Sequence, residues 1–504
     1  MAKEGSSLDA DVIVVGAGNA GSCAAIAAAN AGARVLMLEA APVDQAGGNS
    51  TYTAGAMRFC FNGVEDLLTI VPDISEEEIK NTDFGSYSED QFFDDMFRVT
   101  QFRTAPDMVD LLVRQSLPTV QWMKEQGVKF QTSHGRQAFK VDGKFKFWGG
   151  LACEVWGGGP GLVEMLHRSA NKRGVQILYE TEAVALIQTD SRVTGVVVVQ
   201  GGKRKELTAS AVVLACGGFE ANAEMRTRYL GPGWDVAKVR GTRFNMGQGI
   251  RMALDIGAVS YGHWSGAHAV GWDQNAPEYG DLTVGDSFQK HSYPWGIMVN
   301  ARGERFVDEG ADFRNYTYAK YGQEILRQPG QFAWQVFDAK IIPMLRDEYR
   351  IRQVTKATAN TIEELADRME GVDRDGFLQT VAEFNRAVRR DVPFNPNVKD
   401  GRCAEGLAIR KSHWANTIDE PPFEAYGVTC GITFTFGGLR ITQAGEVVHT
   451  SGREIPGLFA AGELVGGIFF HNYPGGTGLT SGAVFGKISG ESAASFAAGR
   501  PARA

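Results

Sequence analysis

Cysteine is scarce in this sequence, and its spacing excludes several kinds of redox site. The 504 residues include six cysteines, and no two of them form a CxxC pair. This excludes a thioredoxin-type dithiol, a CxxCH haem site and a cysteine-bound iron–sulfur cluster. The scattered thiols also give no reason to expect disulfides, which favours a reducing compartment. No metal site is expected.

Long apolar runs and an excess of basic residues are missing as well. No stretch of about 18 uninterrupted apolar residues occurs, so we expect no transmembrane helix. The N-terminal segment MAKEGSSLDA has no basic region followed by an apolar core, so we expect no export signal and a cytoplasmic protein. Lys and Arg number 51 against 59 Asp and Glu, a net charge of −8. This balance argues against a nucleic-acid-binding protein.

Glycine, in contrast, is abundant. The chain has 62 glycines, well above an average usage of about 7%, and no collagen-like period accounts for them. No internal repeat or low-complexity tract occurs. We therefore expect many tight loops, as in proteins that wrap a nucleotide, within a chain long enough for two or three domains.

A dinucleotide-binding fingerprint, GAGNAG at 16–21, follows a β-branched run and leads into an alanine-rich predicted helix. Gly16 makes the turn, Gly18 lets the backbone approach a pyrophosphate, and Gly21 lets helix and strand pack closely. The helix N-terminus offers free N–H groups to the phosphates. Glu39 ends the second predicted strand, where a carboxylate accepts hydrogen bonds from both hydroxyls of an adenosine ribose. An acid at this position disfavours the 2′-phosphate of NADP.

Three later segments are typical of a flavin site. They are the loop GGNST at 47–51, the buried run AVVLACGG at 211–218 and the run LFAAGE at 458–463. The fingerprint alone serves FAD and NAD alike. Since no second GxGxxG occurs, we expect no separate domain for NAD(P)H.

Together these segments resemble the fumarate reductase/succinate dehydrogenase flavoprotein family, which also includes the 3-ketosteroid dehydrogenases. Two further motifs carry the resemblance, GIMVNARGERFVDEGADFRNYTYAKYG at 296–322 and HNYPGGTGLTSGAVFG at 471–486. Within the family the sequence is most similar to the tricarballylate dehydrogenase branch. The resemblance implies an α/β fold, in which a Rossmann-like FAD-binding domain of the glutathione-reductase type is built from both chain ends. An α+β capping domain is inserted between them.

The domain boundaries follow from a change in composition. Trp, Tyr, His and charged residues become denser from about residue 263. We predict the first part of the FAD-binding domain at 1–262, the capping domain at 263–431 and the completing part at 432–504.

The fingerprint and the resemblance together assign a set of FAD contacts. Glu463 is expected to hold ribityl or ribose hydroxyls, and 477–479 to line the flavin ring. FAD is expected to be non-covalent, because no histidine lies between Gly47 and Arg58. The predicted contacts are Gly16, Gly18, Asn19, Ala20, Gly21, Glu39, Ala40, Gly47, Gly48, Asn49, Ser50, Thr53, Gly55, Val184, Ala215, Gly217, Gly462, Glu463, Gly476, Thr477, Gly478 and Leu479.

The resemblance also implies the chemistry. Enzymes of this family move a hydride between flavin N5 and one carbon of a C–C bond, while an acid or base handles the proton on the neighbouring carbon. Arg314 lies one residue beyond the position of the proton-donating arginine of fumarate reductases, where Phe313 stands. Its alternatives are proton transfer, carboxylate binding and a structural ion pair with Asp308, Glu309 or Asp312.

Tyr473 and His268 complete the predicted catalytic set. Tyr473 stands where fumarate reductases have a carboxylate-clamping arginine, and it follows the ketosteroid dehydrogenases, whose tyrosine donates to a carbonyl oxygen. His268 resembles a histidine that binds a substrate carboxylate, although the Pro-Thr after it is missing and a structural role stays open. Phe434 replaces a second substrate histidine. These departures argue against simple fumarate reduction.

Further residues are candidates for binding the substrate. Arg58 and the pair Lys290-His291 could supply positive charge for a polycarboxylate, with a surface or ion-pair role as the alternative for each. His471, beside Tyr473, is a further candidate. Phe434 and Thr477 complete the predicted substrate-binding set.

The predicted function is that of an FAD-dependent dehydrogenase. Its substrate would carry a C–C bond α,β to a carboxylate or carbonyl, as tricarballylate does, and it would lose a proton to a base and a hydride to flavin N5. The electrons would then leave to another protein, a quinone or oxygen. A 3-ketosteroid-type dehydrogenase, an enoate reductase running the reverse reaction and a non-catalytic assembly factor remain as alternatives.

Overall fold

The computed structural model describes residues 9–148 and 150–499. The first eight residues, part of the segment examined for an export signal, lie outside the described residues. The strands are β1 (Ala10–Val15), β2 (Val35–Leu38), β3 (Ala56–Met57), β4 (Thr82–Asp83), β5 (Phe130–Thr132), β6 (Ala138–Val141), β7 (Lys144–Phe147), β8 (Cys153–Val155), β9 (Gln176–Leu178), β10 (Thr181–Thr189), β11 (Arg192–Gln200), β12 (Lys203–Leu214), β13 (Lys238–Val239), β14 (Ser260–Asp273), β15 (Ile297–Val299), β16 (Phe332–Phe337), β17 (Lys356–Ala359), β18 (Phe423–Leu439), β19 (Glu446–Val448) and β20 (Glu454–Ala460).

Helices surround these strands and join them. None of the helices within the described ranges has both the length and the apolar composition needed to cross a membrane. The helices are α1 (Asn19–Asn30), α2 (Val64–Ile70), α3 (Glu76–Asn81), α4 (Glu89–Val99), α5 (Pro106–Glu125), α6 (His134–Gln137), α7 (Gly158–Lys172), α8 (Ala223–Leu230), α9 (Gln248–Asp255), α10 (Tyr318–Leu326), α11 (Ile362–Arg368), α12 (Arg374–Ala387) and α13 (Thr477–Ala497).

The larger sheet brings together the N-terminal and C-terminal parts of the chain. Strands β9, β2, β1, β12 and β20 lie side by side and run parallel, while β10 and β11 extend the sheet antiparallel beyond β12. β1, β2 and the end of β12 are buried and rich in Val, Leu and Ile, the pattern of parallel strands covered on both faces. The predicted α/β class is confirmed.

Helices α1 and α13 pack against each other beside this sheet, and glycine makes their close approach possible. A Cβ atom added at Gly486 would lie 2.4 Å from the Ala20 carbonyl oxygen, and one at Gly490 would lie 2.1 Å from the Ala24 carbonyl oxygen. Both distances are too short for any side chain. The C-terminal helix is thereby held directly against the fingerprint helix.

A second sheet is centred on the long strand β18. β14, β16 and β17 pair antiparallel with β18, β15 pairs with β16, and β13 pairs parallel with β18. The sheet therefore draws on residues from 238 to 439, beyond both predicted limits of the capping domain at 263 and 431. The division into domains stays a prediction. The register of β14 with β18 places His268 opposite Phe434.

Candidate active site

One cavity of about 360 Å³ runs from the fingerprint loop into the second sheet. At one end it is lined by residues that directly follow parallel strands of the larger sheet: Gly16 after β1, Glu39 after β2 and Ala215 after β12. Ligands of open α/β sheets bind at this edge, where the strands end. At the other end the walls come from the segments around β14, α10 and the loop before α13.

The fingerprint loop has the geometry that its glycines predicted. Gly16 has a φ of 104°, a left-handed conformation that favours glycine. A Cβ atom at Gly21 would lie 1.9 Å from the Gly16 carbonyl oxygen, so only glycine allows α1 to pack on the turn. α1 begins at Asn19 without a side-chain cap. Its first N–H groups and the positive end of its dipole are therefore available to an anion such as a pyrophosphate.

Glu39 is buried at the end of β2 and organises the backbone around it. Its carboxylate accepts hydrogen bonds from the backbone N–H groups of Ala17 at 3.2 Å, Ala41 at 2.9 Å and Gly47 at 3.4 Å. Desolvation by burial raises the pKa of Glu39, and the backbone donors oppose that rise. This placement fits a carboxylate that accepts hydrogen bonds from the hydroxyls of a ribose.

The N-terminal and C-terminal loops are joined by direct hydrogen bonds across the cavity wall. Asn19 Nδ2 donates to the Leu479 carbonyl oxygen at 2.7 Å, and the backbone N–H of Asn19 donates to Ser50 Oγ at 3.0 Å. Asn49 Nδ2 donates to the Thr433 carbonyl oxygen at 2.8 Å. The cofactor end of the cavity is thus assembled from segments more than 400 residues apart.

Most of the predicted FAD contacts line this cavity, and four of them do not. Gly21 packs behind the loop against Gly16. On β10 the residues that line the cavity are 181–183, next to Val184. Thr477 is buried and donates through Oγ1 to the Pro474 carbonyl oxygen at 2.7 Å, so it shapes the turn before α13. Gly55 also lies outside the lining.

The predicted catalytic residues converge at the inner end of the cavity. The ring of Tyr473 lies 4.6 Å from the ring of His268 and stacks on Phe434 at 6.4 Å. Tyr318, which was not predicted, places its hydroxyl 2.8 Å from the Tyr473 hydroxyl. Its ring also lies 4.9 Å from His291. Tyr318 is within the 296–322 motif, so the resemblance could have indicated it.

A charged wall that was not predicted faces these residues. Arg136, Arg240 and Asp286 line the same cavity as Arg314. Arg240 Nε lies 2.7 Å from Asp286 Oδ1, and both side chains are nearly inaccessible to solvent. Arg136 approaches Asp286 Oδ2 at 3.6 Å. No sequence signal marks these residues, because two short helical turns, at 134–137 and 285–288, and the bend at Arg240 bring them together only in the folded chain.

Arg314 does not form the structural ion pair that was the alternative for it. Its Nη2 group donates to the Arg136 carbonyl oxygen at 2.8 Å. The three acids proposed as partners are engaged elsewhere: Asp308 accepts from Ser412, Glu309 pairs with an arginine, and Asp312 lies 2.7 Å from another arginine and 3.6 Å from a lysine. The Arg314 Nε atom is left without a hydrogen-bond partner among the described residues and can meet a ligand.

Several buried donors of the cavity wall have no hydrogen-bond partner among the described residues. Buried polar groups are normally paired, so unpaired ones lining a cavity indicate groups that a ligand satisfies. Two acceptors of the wall, Gln137 Oε1 and Asp286 Oδ2, also lack a hydrogen-bond partner in the described part of the chain, although Arg136 lies 3.6 Å from Asp286 Oδ2. The unpaired nitrogen atoms are Arg314 Nε, His268 Nε2, His291 Nε2, Gln289 Nε2 and Asn315 Nδ2.

Burial sets the protonation of these side chains. Desolvation, reinforced by nearby guanidinium groups, lowers the pKa of His268 and of His291 well below the usual value, so both imidazoles are neutral near pH 7. Desolvation raises the pKa of Tyr473 and raises that of Tyr318 well above its usual value, which keeps both phenols protonated. Desolvation also lowers the pKa of Arg314.

Three residues that were predicted to bind the substrate do not line the cavity. Arg58 is fully buried, donates through Nε to the Gly475 carbonyl oxygen at 2.8 Å and lies over the ring of Tyr316. It supports the loop beneath Tyr473. Lys290 is also buried and pairs with a carboxylate. His471 has a φ of 59° and its ring lies 4.5 Å from that of another histidine, away from the lining.

Comparison with known proteins places the chain among flavoproteins. A family model described as FAD binding domain matches residues 11–479. A probable fumarate reductase of Shewanella frigidimarina is 29% identical, covering 98% of this chain and 76% of the relative. The open flavocytochrome c3 fumarate reductase structure superposes with a TM-score of 0.71, with 28% identity, covering 98% of this chain and 79% of that one. The structure of a 3-ketosteroid-Δ4-(5α)-dehydrogenase from Rhodococcus jostii superposes with a TM-score of 0.69. It is 26% identical, covering 97% of this chain and 98% of that one.

Proposed function

The chain belongs to the FAD-binding flavoprotein family that includes fumarate reductases and 3-ketosteroid dehydrogenases, and on that premise we propose that it dehydrogenates a polycarboxylate of the tricarballylate type. It is an FAD-dependent oxidoreductase that acts on C–C or C=C bonds. The proposal concerns the substrate and the direction of the reaction. The observation that carries it is the cluster of unpaired buried donors beside three arginines at the inner end of the cavity.

The residues at the outer end of the cavity fit the FAD expected for this family. The uncapped start of α1 suits the pyrophosphate, and buried Glu39 suits the adenosine ribose. Glu463, held by the backbone N–H of Thr435 at 2.7 Å, suits a further hydroxyl of the cofactor. When FAD is bound, it supplies the two-electron acceptor for the hydride.

The inner end of the cavity favours an anionic substrate rich in acceptor oxygens. A buried donor left without a partner costs about 1–3 kcal/mol, and carboxylate oxygens would satisfy Arg314 and the side chains around it. At this inner end the wall presents Arg136, Arg240 and Arg314 with the carboxylate of Asp286, whereas Glu39, Glu182 and Glu463 line the cavity elsewhere. The hydrocarbon skeleton of a steroid would leave Arg314 Nε and the other unpaired donors at this end without a partner, which is costly.

Proton transfer is assigned to the aromatic cluster. His268 is neutral and its Nε2 atom has no partner among the described residues, so we propose that it accepts the proton from the carbon α to a carboxylate. The Tyr318 and Tyr473 hydroxyls form a donor chain that can stabilise the charge developing on the carboxylate oxygens. Arg314 orients that carboxylate.

The electrons have to leave the enzyme after each turnover. We propose an external acceptor, which can be a protein, a quinone or oxygen, because the cysteine spacing excludes a bound cluster and a CxxCH haem.

The deciding experiment is anaerobic flavin absorbance with a substrate panel. Tricarballylate, succinate, citrate analogues and 3-ketosteroids are added in turn to the oxidised FAD-loaded enzyme. Bleaching by a polycarboxylate, with steroids inert, supports the proposal. Bleaching by steroids alone would favour the ketosteroid alternative, which Tyr473 supports. If nothing bleaches the flavin, rapid reoxidation of the reduced enzyme by unsaturated acids would establish the reductase alternative.

A further inference from the structure

A small second pocket adjoins the main cavity and shares His291 and Arg314 with it. Its remaining walls include Trp148, Phe313 and Arg346. Its volume is about 10 Å³, about the space that one water-sized atom requires. A group in this pocket would therefore lie directly beside the proposed substrate.

Four buried nitrogen atoms on the walls of this pocket have no hydrogen-bond partner among the described residues. They are Trp148 Nε1, His291 Nε2, Arg314 Nε and Arg346 Nη2. An indole N–H and a guanidinium can only donate, whereas a neutral imidazole nitrogen can do either. A water molecule would need acceptors for its own two hydrogens, whereas among the unpaired side-chain atoms of these walls only the His291 nitrogen can accept. The set of donors therefore suits an anion better than water.

The charges around the pocket support the same conclusion. The guanidinium groups of Arg314 and Arg346 donate to backbone carbonyl oxygens, those of Arg136 at 2.8 Å and Gly135 at 2.6 Å, and not to carboxylates of the described residues. Desolvation lowers the pKa of Arg346 well below its usual value, and the charge of Arg314 lowers it further. The charge of Arg136 lowers the pKa of both Arg314 and Arg346. The charge of Glu348 raises both pKa values, and that of Asp347 raises the pKa of Arg346. An anion in the pocket would offset the repulsion that remains between the arginines.

Aromatic rings enclose the site and exclude water. Trp148 stacks on Phe313 at 4.6 Å, and Phe313 lies 5.5 Å from Trp414, which packs edge-on against Trp295. The edges of aromatic rings carry partial positive charge. In such a low-dielectric enclosure, charge-assisted hydrogen bonds are stronger than at the surface.

We propose that this pocket is an anion subsite that holds one small anionic group against Trp148, His291, Arg314 and Arg346. The group is either an inorganic halide or one carboxylate of the substrate. The second source rests on the proposed function, because it requires a polycarboxylate in the main cavity. The first source does not.

Bromide is the probe for the site. Crystals of the FAD-loaded enzyme soaked in sodium bromide should show an anomalous peak among the four nitrogen atoms. The peak should disappear in Arg346→Met and weaken in Trp148→Phe, which keeps an aromatic ring but removes the five-membered ring that carries the N–H donor. Arg352→Met, which removes an exposed arginine six residues further along the chain, is the matched control and should keep the peak. The proposal is overturned if the wild-type pocket holds only water, or nothing, both after the bromide soak and after a soak with tricarballylate.

Tricarballylate distinguishes the two sources. If a substrate carboxylate enters the pocket, co-soaked tricarballylate should displace bromide. Arg346→Met should then raise the tricarballylate concentration for half-maximal flavin bleaching at least tenfold, while Arg352→Met leaves it unchanged. If bromide stays in the presence of tricarballylate, the site is an inorganic anion site. Bromide binding without bleaching by any acid would leave the subsite standing and refute only the proposed function.

Discussion

The hydroxyl groups of Tyr318 and Tyr473 lie 2.8 Å apart in the buried end of the cavity. One residue opens α10 and the other lies in the loop before α13, so the pair joins two segments that are 155 residues apart. His268 lies against both rings, at 4.9 Å from Tyr318 and 4.6 Å from Tyr473. This contact joins the groups that the proposed mechanism uses to move a proton.

Removing either hydroxyl should slow the chemical step and leave the cofactor in place. We expect Tyr473→Phe and Tyr318→Phe each to slow anaerobic flavin reduction about 100-fold, because a positioned proton donor contributes about that much or more. Stopped-flow flavin absorbance with tricarballylate measures the rate. Tyr261→Phe, a change at an exposed tyrosine, should have no effect. A normal rate in both test variants would remove the pair from the mechanism.

The buried Arg240–Asp286 pair should contribute to stability as well as to binding. Arg240→Met leaves the Asp286 carboxylate buried with only the more distant Arg136, and breaking such a pair costs about 3–5 kcal/mol. Arg240→Met combined with Asp286→Leu should recover most of that loss, because no buried carboxylate is left without its partner and Arg136, which also approaches Asp286, is partly exposed to solvent. Urea unfolding at a fixed excess of FAD gives the three free energies. Equal losses in the single and double variants would contradict this account.

The two buried imidazoles should make the protein less stable in mild acid. Their pKa values are lowered well below 6.5 in the folded state, so below pH 6.5 the unfolded chain binds protons that the folded chain does not. Each histidine should therefore lower the free energy of unfolding by about 1.4 kcal/mol per pH unit below that point. His291→Gln should remove one such contribution. Urea midpoints at pH 5.5 and pH 7.5 test this, and an unchanged slope in the variant would contradict it.

The fingerprint glycine at position 21 should be essential for FAD binding. Gly21→Ala would place a Cβ atom 1.9 Å from the Gly16 carbonyl oxygen and push the turn away from the phosphates. We expect purified Gly21→Ala to contain little FAD, measured as flavin absorbance per protein. Gly135→Ala is the control, since its Cβ atom would meet nothing within 4 Å. Full FAD content in Gly21→Ala would show that the turn can yield.

The nucleotide end of the site was predictable because its function depends on the backbone. A turn such as that at Gly16 requires glycine, and the helix after it presents N–H groups wherever it begins. Glu39 follows β2 at a spacing that the βαβ geometry imposes. Local order along the chain therefore indicated the α/β class and most of the residues that line this end of the cavity, while the resemblance indicated FAD.

The substrate end was only partly predictable because it depends on side chains from distant segments. His268, Arg314 and Tyr473 were indicated by motifs and do meet in one cavity. Arg58 carries the expected charge, but folding buries it beneath the loop at 475.

By itself, the sequence indicated the dinucleotide-binding loop and the α/β class, since glycine turns and strand order act locally, and its resemblance to a flavoprotein family indicated the FAD cofactor and the class of bond that reacts. Only the tertiary structure decided which charges face the substrate. Arg136 and Arg240 reach Asp286 from segments about 100 residues apart, and burial, which no local pattern encodes, makes His268 neutral. The reason is physical: desolvation and charge pairing depend on what surrounds a side chain in space, whereas a motif records only its neighbours along the chain.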